Sequence, residues 1–245
     1  MAKIYVIGIG YKPLDKKGKK IICHSEFILS SSRLLKIFKR FEEFEKVKKK
    51  VRVIDNVDET IKFIKSQIKK QKKCGLIITV LASGDPLFFG IGRRVIKEIG
   101  KERVEIIPDL SSVQLAFSRI KEPWDDAFLI SLHRGPDPQK RRTLKYGIKD
   151  IPVLLKKYKK IAVLTDQENS PKVIAKSLIL SSFKKAQPVM YVCEKLGYPD
   201  ERITKKTSED ITSMSFSTPN VVVIILEPTE TRSKSSRRDA PTLNP

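Results

Sequence analysis

The run Leu76-Ile77-Ile78-Thr79-Val80-Leu81 passes directly into Ala82-Ser83-Gly84-Asp85-Pro86-Leu87-Phe88-Phe89-Gly90-Ile91-Gly92. A short continuous apolar run marks a strand covered on both faces, the kind found in parallel sheets flanked by helices. The glycines and the proline then break it abruptly. On the N-terminal side, Lys3 to Ile7 is a short β-branched run ending in Gly8-Ile9-Gly10. After it comes a loop with a polar stretch from Asp15 to Lys20, and then Glu26 to Phe44 and Asp58 to Lys73 read as helices, the second opened by Asp58-Glu59 and closed near Gly75. On the C-terminal side, Ile91 to Ile99 reads as a helix and Val104 to Ile107 as a strand, with Ser111 or Ser112 placed to cap a helix reaching about Ile120. Strand and helix alternate, which predicts a mostly parallel sheet with helices on both faces.

Beyond Lys121-Glu122-Pro123-Trp124-Asp125 the pattern restarts with a strand at Phe128 to Leu132 and another at Ile161 to Leu164. Ser170-Pro171 then opens a helix to about Leu180, and Val189 to Cys193 and Val221 to Leu226 supply further strands. The expected organisation is therefore an N-terminal α/β domain over residues 1–118 and a C-terminal α/β domain over 119–228. Residues 229–245 hold almost nothing apolar and are expected to form a disordered tail.

Composition narrows the function. Hydrophobic residues make up 40% of the chain, enough for packed cores, although 32% is charged and the net charge is +22. No stretch approaches the roughly 20 apolar residues that cross a bilayer, and no charged-then-apolar export signal opens the chain. A cytoplasmic location without a membrane partner is the expectation. Cys23, Cys74 and Cys193 are widely separated and form no CxxC pair, so they suggest neither a disulfide framework nor a zinc site. The charge surplus suits nucleic acid, an anionic surface or a substrate with many carboxylates or phosphates. The densest basic stretches, Lys36 to Lys50 and Lys62 to Lys73, carry apolar residues at helical spacing and read as outer faces of amphipathic helices.

In an open α/β sheet, ligands bind outside the carboxyl ends of the strands. Gly8 to Pro13, Ser83 to Gly92 and Pro108 to Ser112 all occupy that position and should share one rim. Gly8-x-Gly10 begins a dinucleotide fingerprint, but Pro13 stands where the third glycine belongs, and the match is weak. A phosphate loop with Gly-Lys-Ser/Thr is absent. The only histidines are His24, beside Cys23, and His133, at a strand end; they form no metal set, and no GxSxG elbow surrounds Ser111 or Ser112.

Leu81 to Gly90, with Gly8-Ile9-Gly10 before it and Ile107-Pro108-Asp109-Leu110-Ser111-Ser112-Val113-Gln114-Leu115-Ala116 after it, resembles the corresponding loops of the tetrapyrrole (uroporphyrin-III C/precorrin) methylases. Within that family the subgroup acting on cobalt-precorrin-7 at carbon 5 is most similar. It shares Pro123-Trp124-Asp125-Asp126-Ala127 before Ser131-Leu132-His133, then Leu164-Thr165-Asp166 before Ser170-Pro171, and Glu194-Lys195-Leu196-Gly197-Tyr198-Pro199-Asp200-Glu201. The likeness covers about residues 3 to 227. It implies a two-domain fold of two α/β sheets with an inter-domain cleft, a homodimer, and methylation of a corrinoid precursor with S-adenosyl-L-methionine as donor and S-adenosylhomocysteine as product. It implies that Gly10, Ser83, Gly84, Asp85, Phe88, Ser111 and Ser112 line the donor from the first domain, and Thr165 and Asp166 from the second. His133 and Arg134 are candidates for the substrate's acidic arms, and no residue is nominated as a catalytic base. Two departures stand out: Gly10-Tyr11-Lys12-Pro13 replaces a glycine-proline-glycine turn, and Pro108-Asp109 replaces proline-glycine, which adds a carboxylate. Some relatives are fused to a second methylase that also decarboxylates, so a separate decarboxylating precorrin methylase is the partner expected here. The alternatives are a methylase for another position or another tetrapyrrole and, from a different class, a basic nucleic-acid-binding module. That module would need stacking residues interleaved with basic ones, whereas aromatic residues are only 7% of the chain.

Overall fold

Why the first strand forms is visible in its burial: in Lys3–Ile9 (β1) every residue after Lys3 is buried, so side chains on both faces are covered. The computed structural model describes residues 2–10, 12–70, 75–133, 144–181, 183 and 186–228. Contacts divide the chain into two compact units, Met1–Trp124 with Cys193–Arg202, and Asp125–Val192 with Ile203–Pro245. The segment 193–202, which lies within the span read from sequence as the C-terminal domain, thus belongs with the first unit.

In the first unit β1 is followed by Lys16–His24 (α1), Phe27–Ser30 (β2), Ser32–Phe38 (α2), Phe44–Val47 (α3), Val51–Val53 (β3) and Val57–Lys70 (α4). Then come Ile77–Ser83 (β4), Gly92–Ile99 (α5), Val104–Ile107 (β5) and Ser112–Ile120 (α6). The strands form one parallel sheet in the order β3-β2-β4-β1-β5. Alternation along β1 sends Tyr5, Ile7 and Ile9 to one face, where Ile21 and Ile22 of α1 and Leu34, Ile37 and Phe38 of α2 cover them. Ile4 and Val6 point to the other face, under Ile61 and Ile64 of α4 and Val95 of α5. The neighbouring strands β1 and β4 therefore send their following helices to opposite faces. The carboxyl ends of strands whose helices diverge in this way are the place where open α/β sheets hold ligands.

Two expectations needed correction here. The helix expected over Glu26 to Phe44 is a strand, β2, followed by two short helices, because Phe27-Ile28-Leu29 is buried in the sheet. The polar stretch expected as loop before it is α1, capped by the Asp15 carboxylate, which accepts from Gly18 N at 2.6 Å.

The second unit is built on Phe128–Ser131 (β6), Ile151–Tyr158 (α7), Lys160–Leu164 (β7), Pro171–Ile179 (α8), Ala186–Glu194 (β8), Arg202–Thr207 (β9), Ser208–Ser213 (α9) and Asn220–Pro228 (β10), with the last two residues of β8 and the first of β9 falling in the segment that groups with the first unit. Its sheet runs β6-β7-β10-β8-β9 and is mixed, since β6 is parallel and β10 antiparallel to β7. Leu155 of α7, Ile174 and Leu178 of α8 and Ile211 of α9 pack on Ile161, Val163, Val222 and Ile224 of that sheet. No helix among the described residues is long and apolar enough to cross a membrane. The expected tail at 229–245 lies outside the described residues.

Candidate functional site

Register brings the three loops of the first unit to one level. Ile7 stands opposite both Leu81 and Ile107, and Ile9 opposite Ser83, so the chain leaves all three strands at the same rim. The loops are then stitched together by backbone. Gly84 N donates to Ile9 O at 3.2 Å, and Asp109 N donates to Gly84 O at 3.3 Å. A Cβ on Gly8 would stand 1.9 Å from Gly84 O, so only glycine lets these strands approach so closely. Gly84 has φ +58°, and a Cβ there would lie 2.6 Å from Leu110 O. The extra carboxylate of Asp109 closes the knot: its Oδ2 accepts from Lys12 N at 3.2 Å, holding the loop that follows Gly10, and its Oδ1 accepts from Leu110 N at 2.7 Å.

The turn after Gly84 is built from the same elementary devices. Asp85 Oδ1 accepts from Leu87 N at 2.7 Å, and Asp85 O accepts from Phe88 N at 3.2 Å. Pro86 O accepts from Gly92 N at 2.9 Å, an approach that side chains at positions 90 and 92 would block. The rings of Phe88 and Phe89 meet edge to face at 4.8 Å, and the Arg93 guanidinium lies over the Phe89 ring. Of the residues assigned to the donor, Gly10 and Ser83 edge the rim. Ser83 is exposed, and no described atom lies within 4 Å of where a Cβ on Gly10 would stand. Ser111 is buried and its hydroxyl serves the helix: it accepts from Gln114 N and donates to Gln114 Oε1 in a capping box at the start of α6. Ser112, half-buried, is the first residue of that helix.

In the second unit, Thr165 and Asp166 follow β7. Thr165 Oγ1 donates to Asn220 at the start of β10, with Asn220 O at 2.8 Å. Asp166 Oδ1 accepts from Asn169 N at 2.7 Å and Asn169 Nδ2 at 3.1 Å, while Asn169 Nδ2 also reaches Leu132 O at 2.9 Å. These bonds fix the loop between β7 and α8 against the end of β6. His133 is exposed just past β6, and its N donates to Ser131 Oγ at 3.3 Å. Arg134 lies outside the described residues.

One part of the rim escaped the sequence reading. A small recess in the first unit is lined by Gly10, Ile37, Arg40, Ser83, Gly197 and Tyr198. It joins the rim to the end of α2 and to the 195–201 loop. That loop is tethered by Glu201, whose Oε2 accepts from Gly197 N at 2.7 Å and whose Oε1 accepts from Arg119 Nε at 2.6 Å; the Arg119 bond and the bond from Gly197 hold the Glu201 carboxyl below its ordinary range despite the opposing effect of burial. Tyr198 was in view as part of a motif; Arg40 was hidden among the basic residues of a stretch read as a solvated helix face.

Comparisons with known proteins agree with this architecture. The sequence profile of the Tetrapyrrole (Corrin/Porphyrin) Methylases matches residues 3–212. A Methanocaldococcus jannaschii protein named "Probable cobalt-precorrin-7 C(5)-methyltransferase" is 31% identical over 226 residues, 90% of this chain and 96% of that one. A crystal structure of a cobalamin-biosynthesis precorrin-6Y methylase from Archaeoglobus fulgidus superposes with a TM-score of 0.62 at 21% identity, over 93% of this chain and 98% of that one. The uroporphyrin-III C-methyltransferase of Thermus thermophilus, solved with S-adenosyl homocysteine, gives 0.58 at 16% identity over 91% and 92%. The chain belongs to the tetrapyrrole (corrin/porphyrin) methylases.

Proposed function

We propose that this chain transfers a methyl group from S-adenosyl-L-methionine to carbon 5 of cobalt-precorrin-7 or its metal-free equivalent in corrin synthesis. The observation that carries the reading is the 31% identity running through nearly the whole of a relative with that name. The geometry supports a donor site at the rim: a loop knot made of backbone, a left-handed Gly84, and open space above Gly10 form a cradle that side chains would fill. When bound, the donor supplies a carbon that leaves its sulfur while the sulfur keeps the bonding pair, and the new bond is made with a π pair of the ring. The protein's task is then alignment, worth about 7–11 kcal/mol in well-oriented reactions. Gly10, Ser83, Gly84, Asp85, Phe88, Ser111 and Ser112 are the residues we assign to the donor in the first unit, with Ser111 acting chiefly by fixing the start of α6. Thr165 and Asp166 are those we assign in the second. His133 and Arg134 are assigned to the acidic arms of the substrate. A cytoplasmic homodimer working alongside a separate decarboxylating methylase completes the reading.

The decisive experiment incubates the protein with methyl-labelled donor and a series of precorrin and cobalt-precorrin intermediates and locates the new methyl group by NMR. Label at carbon 5 is the expected result. Label at another carbon would move the chain to a different step within the family, and no transfer to any tetrapyrrole would overturn the reading.

A further inference from the structure

We propose that the recess at the end of α2 is a subsite for one carboxylate arm of the tetrapyrrole, with Arg40 as its cation; this rests on the proposed methylation of a corrinoid precursor. The recess is small, suited to a carboxylate and not to a ring, and the buried Ile37 is part of its lining. Arg40 is exposed and makes no side-chain hydrogen bond or ion pair among the described residues. Arg33 Nη1 donates to Tyr198 Oη at 3.4 Å, so a second guanidinium borders the tyrosine that lines the recess.

A carboxylate at this place has two sources, the amino-acid end of the donor and an arm of the substrate, and charge decides between them. The donor carries a sulfonium and an ammonium against one carboxylate and is a net cation, which the Arg33 and Arg40 guanidiniums repel. The substrate carries several acetate and propionate arms and is a polyanion, which the same two guanidiniums attract, and a guanidinium can grip a carboxylate in two-pronged fashion. Because the recess shares Gly10 and Ser83 with the rim, an arm held there would fix the rotation of the macrocycle relative to the donor, and so the carbon presented to it.

The test uses the full chain with Arg40→Ala, Arg40→Gln and Arg40→Lys, each checked for an unchanged melting temperature. Uroporphyrin, an octacarboxylate, serves as a fluorescent probe of substrate binding, and S-adenosylhomocysteine binding is measured by calorimetry. The proposal expects Arg40→Ala and Arg40→Gln to weaken uroporphyrin binding about tenfold or more, with S-adenosylhomocysteine affinity within about twofold of wild type. Arg40→Lys should restore only part of the loss, since a point charge replaces a fork. Equal losses for both ligands would assign the recess to the donor, and unchanged uroporphyrin affinity would show that the recess holds no arm; either overturns the proposal. Failure of the underlying reading looks different: wild-type protein would bind uroporphyrin in an Arg40-dependent way yet transfer no methyl group.

Discussion

At the scale of single residues, the site depends less on reactive side chains than on side chains that are missing. Gly8 and Gly84 permit two loops to touch through their backbones, and the chemistry assigned to the rim needs that contact. Gly84→Ala imposes a left-handed conformation on an alanine, about 1–3 kcal/mol, and adds a contact at 2.6 Å with Leu110 O. A urea titration should show lost stability of at least that size, and calorimetry should show S-adenosylhomocysteine binding weakened beyond detection. Full affinity in this variant would remove the turn from the donor site. Cys193 offers a second test. It is fully buried, and burial, followed by the nearby Glu201 and Glu194 carboxylates, pushes its thiol up to about 12 from 9.0. The folded state thus holds this proton more tightly than the unfolded chain, and the associated stability is complete below the unfolded pKa and is lost as pH rises from 9 toward 12. Thiol labelling with peptide mapping at pH 8 should find Cys193 unmodified until denaturant is added, and a Cys193→Ala variant should show a shallower loss of stability between pH 9 and 11.

The elements show what a lone sequence reveals. β4, β5 and α6 were legible because a short apolar run between breakers, or a serine before an amphipathic stretch, has few other solutions. β2 was not, because Phe27-Ile28-Leu29 abuts the apolar positions of α2 and the two merge into one apparent helical pattern. β9 was invisible for the opposite reason: Arg202-Ile203-Thr204-Lys205-Lys206-Thr207 is a largely exposed edge strand with no apolar alternation to betray it. The rim loops of the first unit were readable from glycine and proline spacing, whereas Arg40 required knowing that 193–202 packs with the first unit. Two elements carry their own predictions. Asp55, following β3, accepts from Ser32 N at 2.7 Å and Ser32 Oγ at 2.6 Å at the start of α2, and these bonds hold its carboxyl below the ordinary range. Stability from it is present above that range and disappears as pH falls through the folded value. In thermal melts, Asp55→Asn should flatten the acid limb of the stability profile while leaving the alkaline limb alone. Glu194 at the end of β8 is 1% exposed and is held by both Nε and Nη2 of Arg202, at 2.6 and 2.9 Å. Arg202→Ala removes both of those bonds from the buried carboxylate and should lower the urea-unfolding midpoint, by less than the loss of a fully buried partner would because the guanidinium side is open to solvent. An unchanged midpoint would mean that solvent replaces the guanidinium freely.

For the whole molecule, the proposed polyanionic substrate gives the +22 charge a role as an attracting field. Exposed charges are screened beyond about 10 Å at 0.1 M salt, so raising ionic strength from 0.05 to about 0.5 M should depress kcat/KM for the tetrapyrrole steeply. Binding of the cationic donor should weaken little or even improve. Equal sensitivity of the two ligands would remove the field from the account. The architecture of the first unit has a further consequence, for the order in which the molecule can be made. β1 lies between β4 and β5 in the sheet, so its partners arrive only when synthesis has passed from β1 to Ile77–Ser83 and Val104–Ile107, and the segment Cys193–Arg202 that completes the unit is made later still. During synthesis β1 therefore waits for both sheet partners until Ile107 has emerged, an apolar strand that depends on chaperones or on speed for that interval, and the unit is complete only once Arg202 has followed.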